Sequence, residues 1–347
     1  MMDLFPDLPP VDVAESPKRK PRTARKPDAP AVGTQPPMAG APLQSPESMA
    51  TALDGHPDFR VLRRLKPCLD WPAAHAMGES GERLQVIVLD TETTGLDCAT
   101  ESIIELAMLR VQVDRASGLP VGPVQVLDAL EDPGKSIPKE VVSITGITDA
   151  DVKGKRIDDG LVQRMLDGAD LVVAHNAGFD RPFVERRFPA FAAYDWACSF
   201  ADIPWKALGR SSAKLESLAQ DAGWFYDAHR AEMDCHALLS VLAAPLPDAS
   251  GTGLAVLMQA ARQTQYRLQA THAPFDAKDR LKSRGYRWNA EQRVWHTRLP
   301  DEASLRQEIA WLRDNAYGGR AGSVQVEEVA GRERYSNRPG ALRTERF

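Results

Sequence analysis

The run Gln85-Val86-Ile87-Val88-Leu89 is continuously apolar, rich in β-branched residues, and ends in Asp90-Thr91-Glu92-Thr93-Thr94-Gly95. An unbroken run of this kind predicts a strand buried on both faces, which demands helices on either side of a sheet. The chain is thereby directed to the α/β class. Side chains two apart in a strand share a face, so Asp90 and Glu92 project together from its end. The turn residues Thr93, Thr94 and Gly95 then let the backbone approach a ligand closely.

The segments that follow complete this domain. Residues 103–113 and 124–130 read as strands, with Gly118, Pro120 and Pro123 marking the turns between them. Helical patterns occupy residues 138–143 and 157–167, and residues 171–174 form another short buried strand. A helix starts at Arg181 with Pro182 in its first turn, and helices at residues 214–222 and 230–242 close a mixed domain over residues 84–245. A helical lead-in precedes it over residues 49–83, with a helix-like segment at residues 60–65 ended by Pro67.

Pro245, Pro247 and Gly251 mark a linker to a small α/β domain over residues 253–316. Its pattern is strand (266–271), helix (275–284), hairpin (286–299) and helix (301–315). Residues 1–48 are rich in Pro and Ala and carry the basic run Lys18-Arg19-Lys20-Pro21-Arg22, and residues 317–347 are polar and Arg-rich without periodicity. Both read as disordered tails, because neither offers enough apolar surface to offset the entropy of ordering.

Composition narrows the function. A formal net charge of -5 excludes bulk positive charge as the means of holding nucleic acid, so bound cations or local patches must do it. Cys68, Cys98, Cys198 and Cys235 contain no C-x-x-C pair, which disfavours a zinc ribbon and a disulfide framework. With no basic-then-apolar leader in Met1-Met2-Asp3-Leu4-Phe5-Pro6 and no long uncharged apolar stretch, the expectation is a cytoplasmic protein without membrane contact.

Two further acidic segments, His175-Asn176-Ala177-Gly178-Phe179-Asp180 and His229-Arg230-Ala231-Glu232-Met233-Asp234, fall at a strand end and a helix start. Each alone has a bland explanation: a solvated turn, a chance match or a helix cap. Three in order, each in that structural context, point to a site. Clustered carboxylates repel one another, and hard oxygen ligands suit Mg²⁺ or Mn²⁺, so a pair of such cations resolves the conflict and can hold a phosphodiester. At about 100° per residue, positions five apart on a helix lie roughly 140° from each other. His229 must therefore sit on the loop before the helix that carries Asp234, where an imidazole can act as general base.

The segments VIVLDTETTGL, VVAHNAGFD and HRAEMD, with SITGITDADV and AKLESLA between them, resemble the DnaQ-like DEDDh 3'-5' exonucleases, including bacterial DNA polymerase III epsilon subunits. The resemblance implies an RNase H-like fold with a five-stranded mixed sheet, and release of 5'-mononucleotides from a 3' end. It implies two Mg²⁺, replaceable by Mn²⁺, on Asp90, Glu92, Asp180 and Asp234, with His229 as general base. Thr93, Leu96, Asn176 and Phe179 are then the residues that grip the terminal nucleotide. Thr145 stands where many members carry His before Gly-Ile-Thr. The substrate expected is nucleic acid with a free 3' end, DNA favoured.

A DNA polymerase is a possible partner, and the Leu-Phe of Met1-Met2-Asp3-Leu4-Phe5 resembles the end of sliding-clamp-binding peptides without their leading Gln. Epsilon-type proofreaders attach through a carboxyl-terminal segment, whereas a different domain occupies that end here, which favours a free-standing nuclease. The alternatives are an exoribonuclease of the RNase T or oligoribonuclease type, and a nucleic-acid-binding adaptor with a vestigial nuclease fold. In the small domain, Tyr286, Trp288 and Trp295 interleave with Lys278, Lys282, Arg284, Arg287 and Arg293. Such a mixture suits single strands, although alternation in a hairpin also buries one aromatic face in a core.

Overall fold

The computed structural model describes residues 45–72, 81–248 and 251–347. The chain divides into two compact units, Met1–Ala52 and Leu53–Phe347. In the first, the described part belongs to helix α1 (Pro46–Asp54), which buries no side chain. The basic run at residues 18–22 and the clamp-like residues 1–5 lie outside the described residues.

The lead-in differs from the sequence expectation. Residues 60–65 form no helix; β1 (Arg63–Arg64) instead pairs in parallel with residues 224–225, and β2 (Asp70–Trp71) joins the edge of the main sheet. Extension lets Leu65 enter the core while Arg63 and Arg64 pair outward with Asp54 at 2.7 Å and Asp227 at 2.8 Å. A helix would turn this short segment away from both sets of partners.

The main sheet is a meander of β3 (Arg83–Thr93), β4 (Ile103–Asp114) and β5 (Pro120–Leu130), extended by β6 (Leu171–Ala174) parallel to β3 and β7 (Trp196–Cys198) parallel to β6. The order β2-β5-β4-β3-β6-β7 has six strands, the expected five plus the two-residue edge strand β2. Between β5 and β7 come α2 (Lys139–Thr145), α3 (Asp149–Val152), α4 (Asp159–Leu166) and α5 (Ala177–Arg187). After β7 come α6 (Ser199–Asp202), α7 (Leu215–Asp221), β8 (Trp224–Phe225), α8 (Ala231–Ala243) and α9 (Gly253–Ala261). Strand β3 feeds both cores. Val86 and Val88 pack with residues of α7, α8 and α9, and Ile87 and Leu89 with residues of α4 and α5.

Helix α9 corrects the expected boundary at residue 253. Its Leu254, Leu257 and Met258 belong to the core beside α8, so it is part of the first domain. Thr252 caps it, accepting from the Ala255 amide at 3.2 Å and donating to the Gly118 carbonyl at 2.9 Å. Gly118 has φ +69, and a Cβ there would lie 2.3 Å from the Thr252 hydroxyl, so the β4–β5 turn reaches α9 only with glycine.

The small domain is a five-stranded antiparallel sheet of β9 (Gln265–Ala270), β10 (Arg287–Asn289), β11 (Val294–Leu299), β12 (Ser323–Val329) and β13 (Ala341–Arg346), in the order β10-β11-β9-β12-β13. Helices α10 (Lys278–Ser283) and α11 (Glu302–Trp311) contribute Leu281 and Leu305 to its core with Leu268, Val324 and Val326. The expectation of a disordered tail over residues 317–347 is thus overturned. Only Val324 and Val326 turn inward from β12, too weak a pattern to read. The polar remainder is held by cross-strand pairs such as Arg267 with Glu327 at 2.9 Å.

Between β12 and β13, residues 330–338 form a strap against the first domain. The Arg181 guanidinium, fully buried in α5, donates to the Arg332 and Arg334 carbonyls at 2.5 Å. Arg334, 1% exposed, pairs with the equally buried Asp202 of α6, which also accepts from the Tyr335 hydroxyl at 2.5 Å. Removing one member of a buried pair strands the other charge. Arg334→Ala should therefore lower unfolding stability by about 3–5 kcal/mol. Arg338→Ala, which removes a half-exposed partner of Glu185, should cost at most about 1 kcal/mol. Denaturant titration of both variants checks this, and equal losses would contradict it.

Candidate active site

Alternation along β3 places Asp90 and Glu92 on the face of Val86 and Val88, the one covered by α8. Asp234, in the first turn of α8, meets them there: one oxygen from each of Asp90, Glu92 and Asp234 lies within 4.8 Å of the others. Asp180 arrives from the other side. Thr91, on the opposite face of β3, donates its hydroxyl to the Asp180 Oδ1 at 2.7 Å and ties α5 to the strand between the two acids.

Local sequence explains each placement. Helix α5 begins at Ala177, four residues earlier than expected, after Asn176 takes the left-handed conformation at φ 68. Pro182 therefore lies inside the helix rather than in its first turn. Helix α8 is fixed by Glu105 of β4, fully buried, which accepts from the Ala231 amide at 3.0 Å and from Arg230 at 2.9 and 3.1 Å. Glu105 is the cross-strand partner of Glu92. His229 sits on the exposed loop before α8 with φ 66, while Asp234 accepts from the Tyr226 hydroxyl at 2.9 Å and the Arg230 amide at 3.1 Å.

The electrostatics are those of an uncompensated anionic cluster. Burial, then the charges of Asp180, Asp234 and Glu92, hold the Asp90 carboxyl well above its ordinary range. Burial and the charges of Asp234, Glu105 and Asp180 push Glu92 up to about 8, against a smaller opposing effect of Arg230. Asp180 is raised to about 7 by burial, despite its bond from Thr91. Asp234 is raised by burial and eased by Tyr226 and the nearby His229. The grouped oxygens of Asp90, Glu92 and Asp234, each raised by burial, fit a divalent cation that would favour their charged form, with Asp180, outside that group of three, raised as well.

Residues 87–242 match the RNase_T family model, described as exonuclease. A DNA polymerase III subunit epsilon of Treponema pallidum is 30% identical over 170 residues, which cover 46% of this chain and 75% of that protein. The chain belongs to the DnaQ-like exonuclease family. A DNA polymerase III PolC-type of Listeria welshimeri is 35% identical over 103 residues, and one of Thermotoga petrophila 30% over 145. These cover 29% and 41% of the chain, which spans only 7% and 10% of the PolC-type proteins.

In this DnaQ-like site, the residues expected to grip a nucleotide differ in exposure. Leu96 is 64% exposed, Asn176 is exposed, and Phe179 is half-buried against Phe183 at 5.1 Å. The buried Thr93 donates its hydroxyl to the Gly95 carbonyl at 2.6 Å. A Cβ on Gly95 would lie 2.9 Å from Glu101, which accepts from Thr94 at 2.5 Å, so glycine permits this tight loop. Thr145 is buried and uses its hydroxyl on the Val141 carbonyl and the Ile147 amide, both at 3.0 Å, stabilising the turn after α2.

Sequence reasoning missed Glu105, Arg230, Tyr226 and Thr91. A lone acid within Ile103-Ile104-Glu105-Leu106-Ala107 was the available signal, since a buried Glu must have a partner.

The raised acids set a pH dependence. Glu92 has an ordinary value of 4.5 and a native value of about 8; between them the native state holds a proton that the unfolded chain releases. Metal-free stability should therefore fall as pH rises through that interval. Mg²⁺ should raise the melting temperature more at about pH 8 than at about pH 6, because its ligands must be deprotonated. Thermal melts with EDTA or Mg²⁺ check this, and a Mg²⁺ shift independent of pH would contradict it.

Proposed function

We propose that this protein is a metal-dependent 3'-5' exonuclease that releases 5'-mononucleotides from the 3' ends of DNA. The observation that carries the proposal is the convergence of the Asp90, Glu92 and Asp234 oxygens within 4.8 Å, with Asp180 tied to the same strand through Thr91. DNA as substrate is supported by the names of the relatives, DNA polymerase III epsilon and PolC-type. Those names also support association with a polymerase, whereas the added β9–β13 domain supports a free-standing enzyme, the assignment we favour. Among the described residues no helix is long and apolar enough to cross a membrane.

Asp90, Glu92, Asp180 and Asp234 would hold the cations. When bound, a pair of Mg²⁺, or Mn²⁺ in its place, supplies positive charge that steadies the phosphodiester and makes water a better nucleophile. The remaining work belongs to the chain. His229, on its exposed loop beside Asp234, takes the proton from the attacking water as general base. Glu105 and Arg230 hold the start of α8, and so Asp234, against β4. Leu96, with Thr93, Asn176 and Phe179, grips the terminal nucleotide, the exposed Leu96 offering an apolar surface to its base.

Asp90→Ala should abolish Mg²⁺-dependent release of mononucleotides. His229→Ala should keep metal affinity within about twofold while slowing turnover by about 10²–10⁴. The assay uses matched 5'-labelled DNA and RNA oligonucleotides, with metal affinity from calorimetry. A ladder shortening from the 3' end on DNA is expected. Unchanged degradation by both variants would refute the site, and exclusive RNA cleavage would replace the substrate.

A further inference from the structure

The small domain exposes aromatic surface that its own fold does not use. Phe275 is 90% exposed and Trp288 50% exposed, while Tyr286 of the same hairpin is buried in the core. Trp288 packs across the hairpin on Trp295, with ring centroids 5.5 Å apart. Phe275, Trp288 and Trp295 line a mostly apolar cavity of about 450 Å³ with Lys278, His272 and Arg293 on its walls. Large aromatics left in water beside cations mark a contact surface.

Shared lining residues link this cavity to a second, and the second to a third. His272 and Arg293 also line a cavity of about 690 Å³ over the open, helix-free face of the sheet, where Arg267, Gln269 and Gln325 form the floor. Arg267 and Arg338 of that cavity also line a third, of about 430 Å³, at the seam with the first domain. Asn176 and Gly178 stand in that third cavity, at the start of the helix that carries Asp180. Shared residues thus align the three cavities as one candidate groove, from the aromatic platform by way of His272 and Arg293, then Arg267 and Arg338, to Asn176 and Gly178 ahead of Asp180.

Its charge identifies the occupant. Arg267, Lys278, Arg293, Arg298, Arg334 and Arg338 line the three cavities against Glu327 and Glu333, in a chain whose net charge is -5. On the open face Arg267, Arg287 and Arg298 surround His296; burial first, then these three guanidiniums, hold its imidazole below the ordinary range. Glu327 in the groove floor is neutralised by Arg267 at 2.9 Å. Stacking rings followed by a line of cations match the bases and phosphates of an unpaired strand, and an apolar peptide would have no use for the cations.

We infer that this groove is a single-strand track that holds the nucleic acid upstream of the 3' end, with a base stacked on Phe275 and Trp288. The inference rests on the exonuclease assignment for the polarity of the strand, but the platform itself is tested without cleavage. The probe is a 5'-fluorescein deoxythymidine oligomer of about 20 nucleotides, titrated by anisotropy in EDTA with the full chain. The Phe275→Ala/Trp288→Ala double variant should bind about tenfold more weakly or worse, and Phe275→Ala alone, at a side chain 90% exposed, should weaken binding with an unchanged melting temperature. Its kcat and KM on a trinucleotide too short to reach the platform should match the wild type, while KM on the long oligomer rises. Arg287→Ala and Arg298→Ala should each lower the slope of log affinity against log salt by about one. Equal affinity of wild type and double variant would overturn the track and leave the nuclease assignment intact. Weakened binding without any cleavage by the wild type would keep the track and sink the nuclease assignment.

Discussion

Mutual repulsion among acids at the end of a buried strand is the constraint on which the rest of this structure depends. Asp90 and Glu92 lie half-buried at the end of β3, and α8 and α5 bring Asp234 and Asp180 toward the same strand. Burial and like charge both oppose ionisation there, so the fold without a cation holds its acids partly protonated. The strain is held in place by apolar packing of β3 on both faces and by the Glu105 pairing that anchors α8. Such an arrangement costs folding energy that a bound divalent cation would offset.

Much of this was legible in the sequence because the signals were strong and local. The unbroken run at Val86–Leu89 could only be a two-faced strand, and Asp90 and Glu92 followed from its period of two. The five-residue gap from His229 to Asp234 excluded a common helix face and placed the histidine on the loop, where it is found. What escaped was non-local. Nothing near Glu105 in the chain says that Arg230 will close on it, and the role of Thr91 depends on which helix covers the far side of β3.

The carboxyl-terminal third was misjudged for a related reason. Helix α9 looked like the start of a second domain because a proline-rich linker precedes it, yet its apolar face packs on α8. The segment at residues 317–347 looked disordered because its strands are polar; β12 is held by pairing with β9 and by Val324 and Val326 in the core, and β13 by pairing with β12. The strap at residues 330–338 then fastens to Arg181, the residue beside Asp180, so the added domain and the carboxylate site share one helix.

The central claim is that these carboxylates exist to gather divalent cations. Crystals soaked in Mn²⁺ and measured at the manganese absorption edge test it most directly. Anomalous peaks ligated by Asp90, Glu92 and Asp234, with Asp180 contributing to the same cluster, are the expected result. Crystals saturated with Mn²⁺ at about pH 8 that show no peak at these oxygens would contradict the account.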